Sequence, residues 1–129
     1  AHAFANVDYR QRMAVVAEVD TGHEPELIGV ARYDRSDEET TADLGLVVED
    51  GWQGLGLGSI LLEEILRAGE RRGITQFSAD VLTENRRALT MLARHTAITR
   101  RTANYGVAGI VFRRRVDSLA GGATRQGGS

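Results

Sequence analysis

The chain reads as an α/β protein of the α+β kind, ordered β-β-β-α-β-α-β-β. Three observations point there: alternating apolar and polar residues between Arg10 and Val48, an amphipathic helical stretch directly after a glycine run, and two β-rich terminal segments joined at Ala103-Asn104-Tyr105-Gly106. With 129 residues and 42% hydrophobic content it can bury one core. A single domain is expected over residues 1–115. The Gly-, Ala- and Ser-rich stretch 116–129 has little to bury and reads as a disordered tail or linker.

Arg10 to Asp20 alternates around Met13, Val15, Ala17 and Val19, and Leu27 to Tyr33 resumes after the polar Asp20 to Glu26. That is a hairpin with a Gly- and Pro-containing turn. A second acidic turn, Asp34 to Thr40, leads into Ala42 to Val48. Here Leu44, Leu46 and Val48 point to one face, and Asp43, Gly45 and Val47 to the other. Because Gly45 has no side chain, the sheet is expected to be open beside Asp43.

From Leu57 onward, Leu57, Leu61, Ile65 and Ala68 recur at helical spacing with Leu62 and Leu66 beside them, while Glu63, Glu64, Arg67, Glu70 and Arg71 lie largely opposite. Gly73 suits a left-handed stop. Ile74 to Leu82 reads as a strand with Phe77, Ala79 and Val81 on one face. Thr83 is expected to cap the next helix, which runs to about Arg94 with Ala88, Leu89, Leu92 and Ala93 inward. Ala97 to Thr102 and Val107 to Arg114 close the chain as a hairpin.

The run Gln53-Gly54-Leu55-Gly56-Leu57-Gly58, between a strand and a helix, has the character of a pyrophosphate cradle. Alternating glycines bring backbone N–H groups close to a ligand, and the helix adds the positive end of its dipole. Candidate donors are the N–H groups around Leu55, Gly56, Leu57, Gly58 and Ser59, with the Gln53 side chain as a further one. A dinucleotide fingerprint would need glycine where Ser59 stands, and a P-loop would need a lysine, which this chain lacks.

Gln53-x-x-Gly56-x-Gly58 resembles the acyl-CoA signature of the GNAT superfamily of N-acyltransferases, Q/R-x-x-G-x-G/A. The resemblance extends to the lead-in from Ala42 to Trp52 and to Val81-Leu82-Thr83-Glu84-Asn85-Arg86-Arg87-Ala88-Leu89, a later strand-to-helix junction. It covers roughly residues 8 to 115 and is most similar to bacterial Pat-type protein lysine acetyltransferases, including Val7-Asp8-Tyr9-Arg10-Gln11-Arg12-Met13 before the first strand. It implies a mixed, mostly antiparallel sheet flanked by helices. The superfamily fold adds a strand and two helices at the front, so the chain is expected to lack these and to begin inside the last such helix, at Ala1 to Asn6. A domain of a larger protein is implied.

The resemblance implies an acetyl-CoA-dependent N-acetyltransferase acting on a lysine ε-amine of a protein substrate. A small-molecule amine acetyltransferase shares the fold, and a noncatalytic acyl-CoA-sensing regulatory module is the alternative of another class. By the same resemblance Val47 and Val48 hold the pantetheine arm through their backbone, Asn85 contacts it near the thioester, and Asp43 is the catalytic carboxylate. Asp43 stands where Glu is usual, which favours a water relay; its other reading is a backbone hydrogen bond at a strand start, and Glu49 is the reserve base. Asn85 equally suits a helix start. The tyrosine that often protonates the departing thiolate is replaced by Leu92, and neither Tyr33 nor Tyr105 takes that role from sequence. Trp52 reads as the anchor of the loop before the cradle, and Arg113-Arg114-Arg115 as a solvated strand end.

Composition sets further bounds. Net charge is −2, which supplies no basic field for nucleic acid. Without cysteine there is no disulfide framework, thiolate metal site or acyl-enzyme thioester, so transfer must be direct. His2, His23 and His95 lack metal-ligand spacing. No apolar run reaches the ~20 residues of a membrane span, and a soluble cytoplasmic protein is expected. All sixteen basic residues are arginine, so a lysine acetyltransferase built this way has no ε-amine of its own to modify.

Overall fold

The computed structural model describes residues 2–8, 11–36, 39–54 and 56–116. Seven strands form one sheet: β1 (His2–Asp8), β2 (Arg12–Val19), β3 (Glu26–Arg35), β4 (Thr41–Val48), β5 (Gln76–Leu82), β6 (Thr96–Asn104) and β7 (Val107–Arg114). Two helices, α1 (Leu57–Glu70) and α2 (Arg86–His95), follow β4 and β5. The sheet order is β1-β2-β3-β4-β5-β7-β6, antiparallel throughout except for β4 beside β5. That one parallel pair is joined through α1, because strands running the same way need a crossover rather than a tight turn.

One expectation is overturned at the front of the chain. His2–Asp8 is a strand paired with β2 from His2↔Val19 to Asp8↔Met13, not the end of a helix. Without β1, β2 would be an edge with unpaired backbone groups, and the short segment gains more by pairing there than as an isolated helical turn. The stretch expected to be a tail or linker lies, beyond Val116, outside the described residues.

The sheet is covered on one face. Leu57, Leu61, Leu62, Ile65, Leu66 and Ala68 of α1 are buried against Met13, Val15 and Ala17 of β2, Ala31 and Tyr33 of β3, and Ala42 of β4. Each leucine or isoleucine among them contributes about 1.5–3 kcal/mol when fully buried, which is why this helix forms despite two internal glycines. Gly69 is one of them: a Cβ there would stand 2.6 Å from the Phe77 ring. Phe77 in turn sits edge-on to Tyr33 and stacks with Phe112, fastening β5 to its neighbours. Gly73, at φ 87°, ends the helix, and its neighbour Ile74 donates to Gly69 O at 3.0 Å.

Local chemistry sets the remaining boundaries. Asp20 Oδ1 accepts from Gly22 N at 2.9 Å and shapes the β2–β3 turn. Asn85, not Thr83, caps α2: its Oδ1 accepts from Ala88 N at 3.1 Å, while Thr83 is drawn to Gly106 O through both its N–H and its hydroxyl. Ala93 is exposed rather than inward, and Leu92 alone of this helix is fully buried. The β6–β7 turn has positive φ at both Tyr105 and Gly106, as a two-residue turn matched to strand twist requires. The arginine run at the end of β7 is engaged: Arg114 Nε donates to Glu70 Oε1 at 2.8 Å, and Arg115 donates to Ala93 O and Thr96 O. The Glu70 hydrogen bond raises the Arg114 pKa above the ordinary arginine value.

Candidate functional site

The parallel pairing of β4 with β5 lasts for three residue pairs, Thr41↔Gln76, Ala42↔Phe77 and Asp43↔Ser78. Beyond them β4 continues to Val48 along β3 alone, and β5 continues to Leu82 along β7 alone. The sheet is therefore split, with Asp43 and Ser78 at the fork. A strand edge that faces no other strand leaves backbone N–H and C=O groups without ladder partners, suited to an extended ligand that takes the missing strand's place.

On the helix-covered face, the split opens into a cleft of about 580 Å³. Leu46 and Val48 of β4, Gly54, Gly56, Gly58 and Ser59 of the glycine run, and Asn85, Ala88 and Met91 around α2 line it. The glycines serve different ends. Gly54 and Gly56 have φ of 83° and 84°, a left-handed backbone that costs other residues energy. Gly56 is also the N-cap of α1, and the space where its Cβ would stand is open. Gly58 is helical; its Cβ position lies 3.2 Å from Met91 Sδ and 3.8 Å from Val48 Cγ2, so its smallness brings α1 onto β4 and α2. Ile60 N donates to Gly56 O at 3.2 Å, and the N–H groups of Leu57, Gly58 and Ser59 before it are those a helix leaves without internal acceptors. The Ser59 hydroxyl is itself used, donating to Gly56 O at 2.9 Å. Leu55 lies outside the described residues.

Gln53 departs from expectation. Its Nε2 donates to Val48 O at 3.0 Å and Asp50 Oδ1 at 3.2 Å, and its Oε1 accepts from Arg87 Nη1 at 3.1 Å. A primary amide has two hydrogens, both spent, so its side chain is no donor to a pyrophosphate. It links the end of β4, the 3-10 turn Asp50–Trp52 and α2. Trp52 is half-buried against the core. Asn85 lines the cleft with its oxygen committed to Ala88 and its Nδ2 left to donate.

Asp43 and Val47 point to the other face of the sheet. Asp43 is exposed, and Ser78 Oγ donates to its Oδ1 at 2.6 Å, which fixes the carboxylate at the fork with Oδ2 free of that bond. Val47 is 65% exposed. The gap at Gly45 is not bare: the Arg32 guanidinium lies 3.5 Å from where its Cβ would be, because Arg32 stands opposite Gly45 on β3 and leans toward Asp34. Asp80, also exposed, is the next residue of β5 on this face, and sequence parity with Ser78 could have found it. Glu49 is exposed in the turn, Tyr33 is 1% exposed in the core, and Tyr105 is 97% exposed at a hairpin tip. Leu92 is buried, and among the described residues no tyrosine lines the cleft. His95, read from sequence as isolated, borders the cleft, as do Arg86, Arg87 and Arg94. Among the described residues no cluster of metal-ligating side chains occurs, and no helix is long and apolar enough to cross a membrane.

Residues 3–96 match the Acetyltransferase (GNAT) family. Over 76 residues the chain is 34% identical to the acetyltransferase PA5475 of Pseudomonas aeruginosa, covering 58% of this chain and 41% of that protein. The GNAT domain of S. lividans PAT superposes with a TM-score of 0.70 at 28% identity, over 82% of this chain and 62% of that one. A cAMP-binding acyltransferase from Mycobacterium smegmatis superposes with a TM-score of 0.69 at 27% identity, over 88% of this chain and 35% of that one. The chain thus spans less than two thirds of the length of each of these relatives. A split sheet with a glycine cradle beside it, and a family match over most of the sequence, lead to one conclusion: the chain belongs to the GNAT acetyltransferase family, whose acyl donor is acetyl-CoA.

Proposed function

We propose that this domain transfers acetyl from acetyl-CoA to a lysine ε-amine of a protein substrate, by direct attack within a ternary complex. The observation that carries the reading is the fork between β4 and β5, which connects the cleft on one face of the sheet to a fixed carboxylate on the other. The residues present suit acetyl-CoA: open space over Gly56, free helix N–H groups and a cleft bordered by three arginines accept the phosphates. The unpaired edges at Val47 and Val48 accept the amide-containing arm, with Val48 O already taken by Gln53. Acetyl-CoA supplies the activated thioester.

At the fork, the amine nitrogen attacks the thioester carbonyl carbon, the C–S bond breaks, and the thiolate departs. Before the attack the lysine ammonium gives up one proton through a water to Asp43, whose side chain is one methylene shorter than glutamate, and the second proton on nitrogen passes to the departing thiolate as the amide forms. A thiol with pKa near 8.5 can leave without a tyrosine acid, which fits Leu92 at the position where that tyrosine is usual. The resemblance of the sequence to Pat-type protein lysine acetyltransferases favours a protein acceptor over a small molecule. Leu92 where a tyrosine is usual, and Asp43 where glutamate is, favour a second reading, an acyl-CoA sensor without turnover. Incubation with acetyl-CoA and a lysine-containing protein, read by thiol release and by mass spectrometry of the acceptor, separates them. Catalysed release matched by acetyl-lysine supports transfer; tight binding with no release above background supports the sensor.

A further inference from the structure

The cleft carries charge of one sign. Arg86, Arg87, Arg94 and His95 line it and no Asp or Glu does, in a chain whose net charge is −2. Elsewhere four arginines are held by carboxylates: Arg12 and Arg32 by Asp34, Arg67 by Glu63, and Arg114 by Glu70. Arg87 makes no ion pair among the described residues. Its one hydrogen bond is to Gln53 Oε1, and of its five N–H groups the others remain for a ligand.

That single bond decides where the guanidinium stands. Gln53 is immobilised from the other end by Val48 O and Asp50 Oδ1, so its oxygen is a fixed point to which Arg87 is tied. Arg87 Nη1 comes within 3.9 Å of where a Cβ of Gly54 would be, beside the left-handed turn that leads to Gly56 and the free N–H groups of α1. A cation held there shares the cleft with the glycine run, and a planar fork of donors matches phosphate oxygens. Resting on the acyl-CoA reading above, we propose that Arg87 is a ligand of the cofactor's diphosphate, and that Gln53 is a positioning residue which holds it.

The test is equilibrium binding of CoA, 3′-dephospho-CoA and S-acetylpantetheine to the wild-type chain and to Arg87→Ala, Arg87→Lys, Gln53→Ala and the double alanine variant, with each apo melting temperature as the folding control. Losing a charge-assisted contact should weaken CoA and dephospho-CoA by the same factor, about 10- to 100-fold, in Arg87→Ala, with S-acetylpantetheine unchanged. Arg87→Lys should fall between, keeping charge without the fork. Gln53→Ala should show the same ligand pattern with a smaller loss, and the double variant should bind no worse than Arg87→Ala, since Gln53 acts through Arg87. A loss confined to CoA would place Arg87 on the 3′-phosphate and overturn the assignment, as would unaltered affinity in Arg87→Ala or additive losses in the double variant. A wild-type chain that binds neither CoA nor dephospho-CoA would instead remove the acyl-CoA reading, and this contact with it.

Discussion

Gly56 and Gly58 look alike in the sequence, and alanine should be costly at the first and nearly neutral at the second. Gly56 has φ 84° at the N-cap of α1, with nothing within 4 Å of its missing Cβ. Alanine there meets no obstacle but must adopt a left-handed backbone, at about 1–2 kcal/mol. For a domain of this size that lowers the melting temperature by about 4 °C per kcal/mol. Gly58 lies inside the helix, where alanine gains about 1 kcal/mol in propensity. Its Cβ would sit 3.2 Å from Met91 Sδ, the end of a flexible side chain able to yield by the few tenths of an ångström required. Gly58→Ala should therefore leave the apo melting temperature within a few degrees of wild type. The ligand response separates the cradle from a mere turn. At acetyl-CoA 100-fold above its Kd, the wild-type chain should gain about 2.7 kcal/mol of stability. In Gly56→Ala the methyl enters the open space that the phosphates would take, or the backbone leaves the left-handed region and turns the N–H groups of Leu57, Gly58 and Ser59 away. Either outcome reduces the gain at the same ligand concentration. Thermal denaturation with and without acetyl-CoA measures both terms, and a Gly56→Ala chain with the full wild-type gain would refute the cradle.

Two further substitutions follow from the geometry. Gly69→Ala improves helix propensity by about 1 kcal/mol yet drives a methyl to 2.6 Å from a packed ring, so overpacking of about 1–3 kcal/mol should win and urea denaturation should show a net loss. A stabilised Gly69→Ala chain would mean that Phe77 moves freely. Asn85→Asp keeps the cap acceptor for Ala88 but removes the Nδ2 donor; it should preserve the melting temperature while weakening acetyl-CoA binding, whereas Asn85→Ala should also lose about 1 kcal/mol of stability. Equal cofactor affinity in wild type and Asn85→Asp would leave Asn85 with the cap alone.

What could be read from the sequence was what local periodicity determines. The α1 stripe from Leu57 to Ala68 is buried as its spacing predicts, and the parity of Ala42 to Val48 places Asp43 opposite Leu44 and Leu46. Elements decided by distant partners were not legible. His2–Asp8 becomes a strand because β2 presents an edge to it. Thr83 loses the cap to Asn85 because its hydroxyl answers to Gly106, 23 residues away. The Gln53 side chain changes role for the same reason, since Arg87 lies 34 residues along the chain. Arg32 over Gly45 is likewise a cross-strand event, set by the β3–β4 register.

The proposed transfer depends on Asp43 as the group that takes the acceptor's proton at the fork. A lysine ammonium with pKa near 10.4 is only about one part in a thousand free amine at pH 7.4, a deficit of about 4 kcal/mol that a nearby base removes. The decisive measurement is the ratio of wild-type to Asp43→Asn kcat as a function of pH, with acetyl-CoA affinity determined alongside. The ratio should be about 10²–10⁴ at neutral pH and should shrink toward pH 10, where free amine arrives unaided, with cofactor affinity nearly unchanged. A ratio that stays constant across that range, or an Asp43→Asn chain as active as wild type at pH 7, would contradict it.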